Sequence, residues 1–147
     1  MSKIAAYFHI VFCTKSRQMT IPLDYADDLY RFVWKQVDDL GCRLIRIGGI
    51  QNHIHMLVNL HSSVPLSQLM QNIKGRSSTW MKSDPRFAHF VGWSTDYYAS
   101  SVSPEHRDAV IEYIKSQRAH HLGHPVEHEL ETLYATSGLS FDPRDLL

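Results

Sequence analysis

The sequence predicts an α+β domain built on a four-stranded antiparallel sheet with helices packed on one face. Three observations predict it. Segments such as Ile4–Thr14 and Gln51–Leu60 alternate apolar and polar side chains at the strand period. Between and after them, apolar residues recur at helical spacing. The elements then follow in the order β-α-β-β-α-β-α-α, which fits the ferredoxin-like, RRM-like plan.

Each element has its own signal. Ile4–Thr14 is rich in β-branched and aromatic residues and reads as the first strand, with Lys15–Pro22 as a loop. Pro22–Leu40 carries the stripe Ala26, Leu29 or Tyr30, Val33, Val37 and Leu40. Asp24 is the expected N-cap, and Gly41 ends the helix. Arg43–Ile50 is the second strand, and Gly48-Gly49 reads as a hairpin or bulged bend into the third. Leu66, Leu69, Met70, Ile73 and Trp80 mark a second helix, followed by a loop over Ser83–Thr95. Asp96–Val102 is the fourth strand. Ser103-Pro104-Glu105 then starts a third helix: a capping serine, proline at the first position and a carboxylate at the positive dipole end. That helix is expected to run to about His121. Gly123 and Pro125 break the chain, and Val126, Leu130, Leu133 and Tyr134 mark a last helix ending near Gly138, before an irregular tail.

The chain has 147 residues, 44% of them hydrophobic and 20% charged, which suits one domain over residues 1–147 with a real core. The formal net charge is zero with ten histidines neutral, so a nucleic-acid partner would have to be held by a local basic patch or a bound cation. The two cysteines, Cys13 and Cys42, form no CxxC pair and suit buried thiols in a reducing cytoplasm. The N-terminal apolar run contains His9 and reads as a strand, not a signal peptide. No stretch approaches the roughly 20 apolar residues of a membrane span.

Two stretches carry chemistry. In QNHIHMLVNL, residues 51–60, Ile54, Met56, Val58 and Leu60 form one apolar face, while His53 and His55 stand side by side on the opposite, open one. In AVIEYIKSQRAHH, residues 109–121, Tyr113 and Gln117 lie one helical turn apart on the same face. Each feature alone is most often a structural pair or a solvated face. Together, in this order, they resemble the HUH single-tyrosine transposases of bacterial insertion sequences, including the relatives associated with repetitive extragenic palindromes. Three blocks carry the resemblance: Tyr7–Gln18, Gly48–Met81 and Trp93–His121. The C-terminal segment from Leu122 to Leu147 is similar to the family's helical extension, less specifically.

The resemblance implies a metal-dependent transposase that nicks and rejoins single-stranded DNA at hairpin-containing element ends. Tyr113 matches the nucleophile, and His53, His55 and Gln117 match the metal ligands. Imidazole ligands alone would favour zinc or another transition metal, whereas the resemblance implies magnesium or manganese. It also implies a homodimer and no membrane partner. Asn52 departs from the aspartate that many relatives carry before the first histidine. Lys74, Arg76 and Lys82 are the candidate DNA-binding residues, read equally well as a solvated helix end. Gly75 costs about 1 kcal/mol in a helix interior and suits either a close phosphate approach or a tight helix–sheet contact. Ser77, Ser78 and Thr79 are possible phosphate donors. Lys15 and Arg17 read first as a solvated loop. Trp80, Phe87, Phe90 and Trp93 read mainly as core. His9, His61, His120 and His121 read as structural or surface residues.

Other readings remain open on sequence alone. One is a domesticated hairpin-DNA-binding protein without transposition. Another is an RNA-recognition-like module, although its RNA-contacting signature is absent. A third is a regulatory ferredoxin-like dimer with a non-catalytic metal.

Overall fold

The computed structural model describes residues 2–120, 125–140 and 142. Strands β1 (Tyr7–Cys13), β2 (Arg43–Ile50), β3 (His53–Asn59) and β4 (Tyr98–Val102) form one antiparallel sheet in the order β2-β3-β1-β4. The central pair β1 and β3 runs in register from Tyr7 opposite Asn59 to Cys13 opposite His53.

One face is the apolar core. Ile10 and Phe12 of β1 and Ile54, Met56 and Val58 of β3 meet helices α1 (Ala26–Asp39) and α2 (Leu66–Lys82). The helices supply Leu29, Val33 and Val37 from α1, and Leu69, Met70, Ile73 and Met81 from α2. Repeats of three and four residues put each set on one stripe. Asp27 and Asp28 occupy the first turn of α1, where carboxylates complement the dipole. Asp24 does not cap this helix. It lies in a short 3-10 turn, Leu23–Tyr25, and Tyr25 stands at the cap position without a side-chain bond. Gly41, at φ 77°, ends the helix as expected.

The opposite face is not open. Helices α3 (Arg107–Lys115), α4 (Gln117–His120) and α5 (Val126–Thr136) follow a 3-10 turn at Pro104–His106, and this part of the chain covers the sheet. The expected single third helix is broken at Ser116, whose N–H bonds back to the carbonyls of Glu112 and Tyr113. Ile114 of α3 is buried over β2. An added Cβ at Gly48 would sit 2.9 Å from the Ile114 carbonyl oxygen. Farther along the sheet, Val126 and Leu130 of α5 pack on Val11, Cys13 and Tyr98.

Gly48-Gly49 is therefore not the bend. Both glycines lie inside β2, opposite His55 and Ile54, and the chain turns at Gln51-Asn52. What requires glycine is close approach: a Cβ on Gly49 would fall 2.1 Å from the His53 carbonyl oxygen. Among the described residues no helix is long and apolar enough to cross a membrane.

Candidate active site

Strand alternation places His9 of β1 and His53 and His55 of β3 on the face beneath α3–α5. All three are buried, and His53 and His55 are 0% exposed. A buried imidazole needs partners for both ring nitrogens. For His53, Nδ1 is 2.8 Å from Asn52 Oδ1, whose own amide nitrogen donates to the Arg17 carbonyl. That orientation makes His53 Nδ1 the donor and leaves a lone pair on Nε2. Asn52 thus holds the ring as an aspartate would, without the charge. For His55, Nδ1 lies 2.8 Å from His9 Nε2, and the two rings stack at 5.1 Å. Burial, then the His55 charge, pushes His9 down to about 3, so His9 is a neutral support at physiological pH.

The Nε2 atoms meet side chains from the covering helices. Gln117, at the start of α4, places Oε1 3.1 Å from His53 Nε2, while its amide nitrogen points to the Tyr113 carbonyl at 3.5 Å. Glu129 of α5 brings one carboxylate oxygen 2.5 Å from His55 Nε2 and the other 4.0 Å from His53 Nε2. Ligand atoms of His53, His55 and Glu129 all lie within 4.8 Å of one another.

This donor set fits a divalent ion. An imidazole lone pair and an amide oxygen face each other at 3.1 Å. Neighbouring ligands around a magnesium-sized ion stand about 3 Å apart. Imidazole, amide oxygen and carboxylate are all accepted ligand types for such ions.

Tyr113 is half-buried beside this cluster, its ring edge-on to His9 at 5.8 Å and to His55 at 5.5 Å. Its phenol is held well above the usual tyrosine range. Burial is the main cause, followed by the charge of Glu129 and a hydrogen bond to that carboxylate, with a Gln117 contact opposing.

All four residues named from sequence, His53, His55, Tyr113 and Gln117, thus come together in one chain. Glu129 was missed, as was the role of His9. The signal for Glu129 was present: Val126, Glu129, Leu130 and Leu133 share one stripe, and a carboxylate on an apolar stripe is anomalous. His121 and the side chain of His120 lie outside the described residues, as does most of the tail after Ser140. His61 is exposed and accepts from the Ser63 N–H, away from this site.

The basic candidates separate. Lys74 and Lys82 of α2 line a groove of about 670 Å³ with Gly75, Ser78, Trp93 and Lys15. Arg76 does not line it; its guanidinium donates to Gln36 of α1 at 3.3 Å. Gly75 makes no tight helix–sheet contact, because a Cβ there would meet nothing within 4 Å. Ser77 is also withdrawn from the donor set. It is buried, donates to the Ile73 carbonyl and accepts from Trp93 Nε1 at 2.9 Å. Thr79 donates back to the Gly75 carbonyl, leaving Ser78 in the groove. Arg17 pairs with Glu127 at 2.5 Å and ties the loop after β1 to α5. Phe87 and Phe90 are core as expected, and Trp93 packs on Phe12 and Phe90.

The sequence pattern of the IS200-like transposases matches residues 2–117. No curated protein matches. Several solved structures share the fold, two of them transposase-related. One is a candidate transposase from Deinococcus radiodurans R1, at 20% identity and TM-score 0.60, with 80% of this chain and 95% of that chain covered. The other is a REP-associated tyrosine transposase bound to a REP hairpin, at 12% identity and TM-score 0.64, with 83% of this chain and 75% of that chain covered. The chain belongs to the IS200-like transposase family.

Proposed function

We propose that this transposase cuts and rejoins single-stranded DNA at hairpin-bearing ends through a covalent bond to Tyr113. The observation that carries the reading is the convergence of Tyr113, His53, His55 and Gln117, from separate elements, into one buried cluster. A merely structural histidine pair would not need a tyrosine at its side.

Tyr113 Oη attacks the scissile phosphorus. The P–O3′ bond breaks, the 3′ oxygen leaves as a hydroxyl, and a 5′-phosphotyrosine forms. The phosphoester energy is kept in that bond, so a 3′ hydroxyl can reverse the step without ATP. His53, His55 and Gln117 would hold a divalent metal, magnesium or manganese. That ion would supply Lewis acidity to the scissile phosphate. The chain's own work is positional. Asn52 fixes the tautomer of His53, His9 supports His55, and the α3–α4 break sets Gln117 against His53.

The groove of Lys15, Lys74, Ser78 and Lys82 is the proposed track for the DNA backbone. It lies beyond the same end of the sheet as His53: the Ser94 N–H bonds the Cys13 carbonyl, and Cys13 pairs with His53. Burial lowers the Lys74 pKa, and Asp96 partly restores it. The hairpin bound by the REP-associated relative supports a hairpin as the ligand. A homodimer remains part of the proposal, because rejoining needs two ends held together.

The test is cleavage of single-stranded hairpin DNA from the flanks of the source gene, with magnesium or manganese, comparing wild type with Tyr113→Phe. A metal-dependent covalent adduct lost in Tyr113→Phe is expected. Tight hairpin binding without cleavage by either protein would instead favour a domesticated DNA-binding role.

A further inference from the structure

We infer that Glu129 is a fourth ligand of the proposed metal, and that the metal thereby fastens α5 to the sheet. The inference rests on the metal reading above, but concerns a residue that neither the HUH motif nor the tyrosine helix contains.

Glu129 is 3% exposed on the apolar stripe of α5. Its carboxylate faces two imidazoles and a phenol, and its oxygens reach both Nε2 atoms. An ionised carboxylate in such a place needs a strong compensating charge. A divalent ion among His53, His55 and Gln117 would provide it.

Two consequences follow. The motif ligands are all neutral, so on their own they bind a hard cation weakly and depend on the DNA phosphate to complete the charge balance. With Glu129, the site binds metal before DNA arrives. The carboxylate also shifts the donor balance toward oxygen, which favours manganese and magnesium relative to an all-imidazole site. The second consequence is mechanical. Apart from Glu129, α5 is held by contacts that include Val126, Leu130 and Leu133, the stacked Tyr98–Tyr134 rings, the Arg17–Glu127 pair and the Tyr98–Ser137 hydroxyl contact. A metal bond through Glu129 adds a tie to β3 from the first turn of the helix.

Manganese(II) binding by the full chain without DNA, followed by calorimetry and by hydrogen exchange over residues 126–136, tests both. Wild type is expected to bind, with slower exchange in α5 when loaded. Glu129→Gln should weaken binding by roughly tenfold or more, at least as much as loss of an outer-sphere partner, and lose the added protection. Glu129→Asp, charged but shorter, should fall between them, and settles the matter if the glutamine variant does not fold. Equal affinity in wild type, Glu129→Asp and Glu129→Gln, with binding lost in His53→Ala, would overturn the ligand assignment and leave the metal reading intact. No binding by wild type would overturn both. Binding that leaves α5 exchange unchanged would overturn the fastening.

Discussion

The two faces of the sheet use alternate residues of the same strands for different ends. On β3, Ile54, Met56 and Val58 point to α1 and α2, and His53 and His55 point to Tyr113, Gln117 and Glu129. Both sets are almost wholly excluded from solvent. The apolar set needs only shape, since each large side chain gains about 1.5–3 kcal/mol from burial. On the polar set Asn52 and His9 hold the two Nδ1 atoms, and the Nε2 atoms turn toward Gln117 and Glu129. Burial is therefore a stability statement on one face and a chemical one on the other.

Substitutions that act on one face alone should separate these roles. The largest effect is expected from Met56→Ala, which should cost about 2–5 kcal/mol in denaturant unfolding, while the protein that remains folded still forms the DNA adduct. Gly48→Ala attacks the junction of the two. Its methyl would press on the Ile114 carbonyl, and overpacking should cost about 1–3 kcal/mol. Because Ile114 adjoins Tyr113, adduct formation should fall by more than the folded fraction does, measured by cleavage against a circular-dichroism melt.

His9→Gln probes the polar face through pH. In the folded protein His9 titrates near 3, below its ordinary 6.5. Between those values the unfolded chain binds a proton that the folded one does not. The stabilising contribution of neutral His9 is present above pH 6.5 and is lost as pH falls toward 3. Removing the group should make acid destabilisation shallower, by up to about 1.4 kcal/mol per pH unit. Equal acid profiles for wild type and variant would place the acid sensitivity elsewhere. The smallest effect is Gly75→Ala, which should stabilise α2 by about 1 kcal/mol because nothing obstructs the methyl. If the groove carries DNA, the same methyl should weaken hairpin binding in a filter or anisotropy assay. Unchanged affinity would argue for a different track.

Much of this was legible in the sequence for physical reasons. A strand period is short and strict, so the two faces of β3 could be assigned residue by residue. The i, i+4 spacing pointed to Tyr113 and Gln117 as a pair, and they meet at the site although the break at Ser116 puts them on α3 and α4. Two features depended on contacts between distant segments and were misread. Gly48-Gly49 looked like a turn, yet glycine is needed because α3 and the β3 backbone come too close for a side chain. The histidine face looked open because nothing local shows that α5 returns across β1 and β4 to cover it. Arg76 has a partner no local pattern shows, Gln36 of α1, while the residue stays exposed. Glu129 belongs with these, since its partners lie 74 and 76 residues earlier in the chain.

The most direct test of the central claim is to locate the covalent bond. The protein would be incubated with single-stranded hairpin DNA and manganese, digested with nuclease and protease, and mapped by mass spectrometry. The account predicts a nucleotide phosphate on the peptide containing Tyr113 and on no other tyrosine. An adduct on a different residue, or cleaved DNA with no protein-linked end, would contradict it.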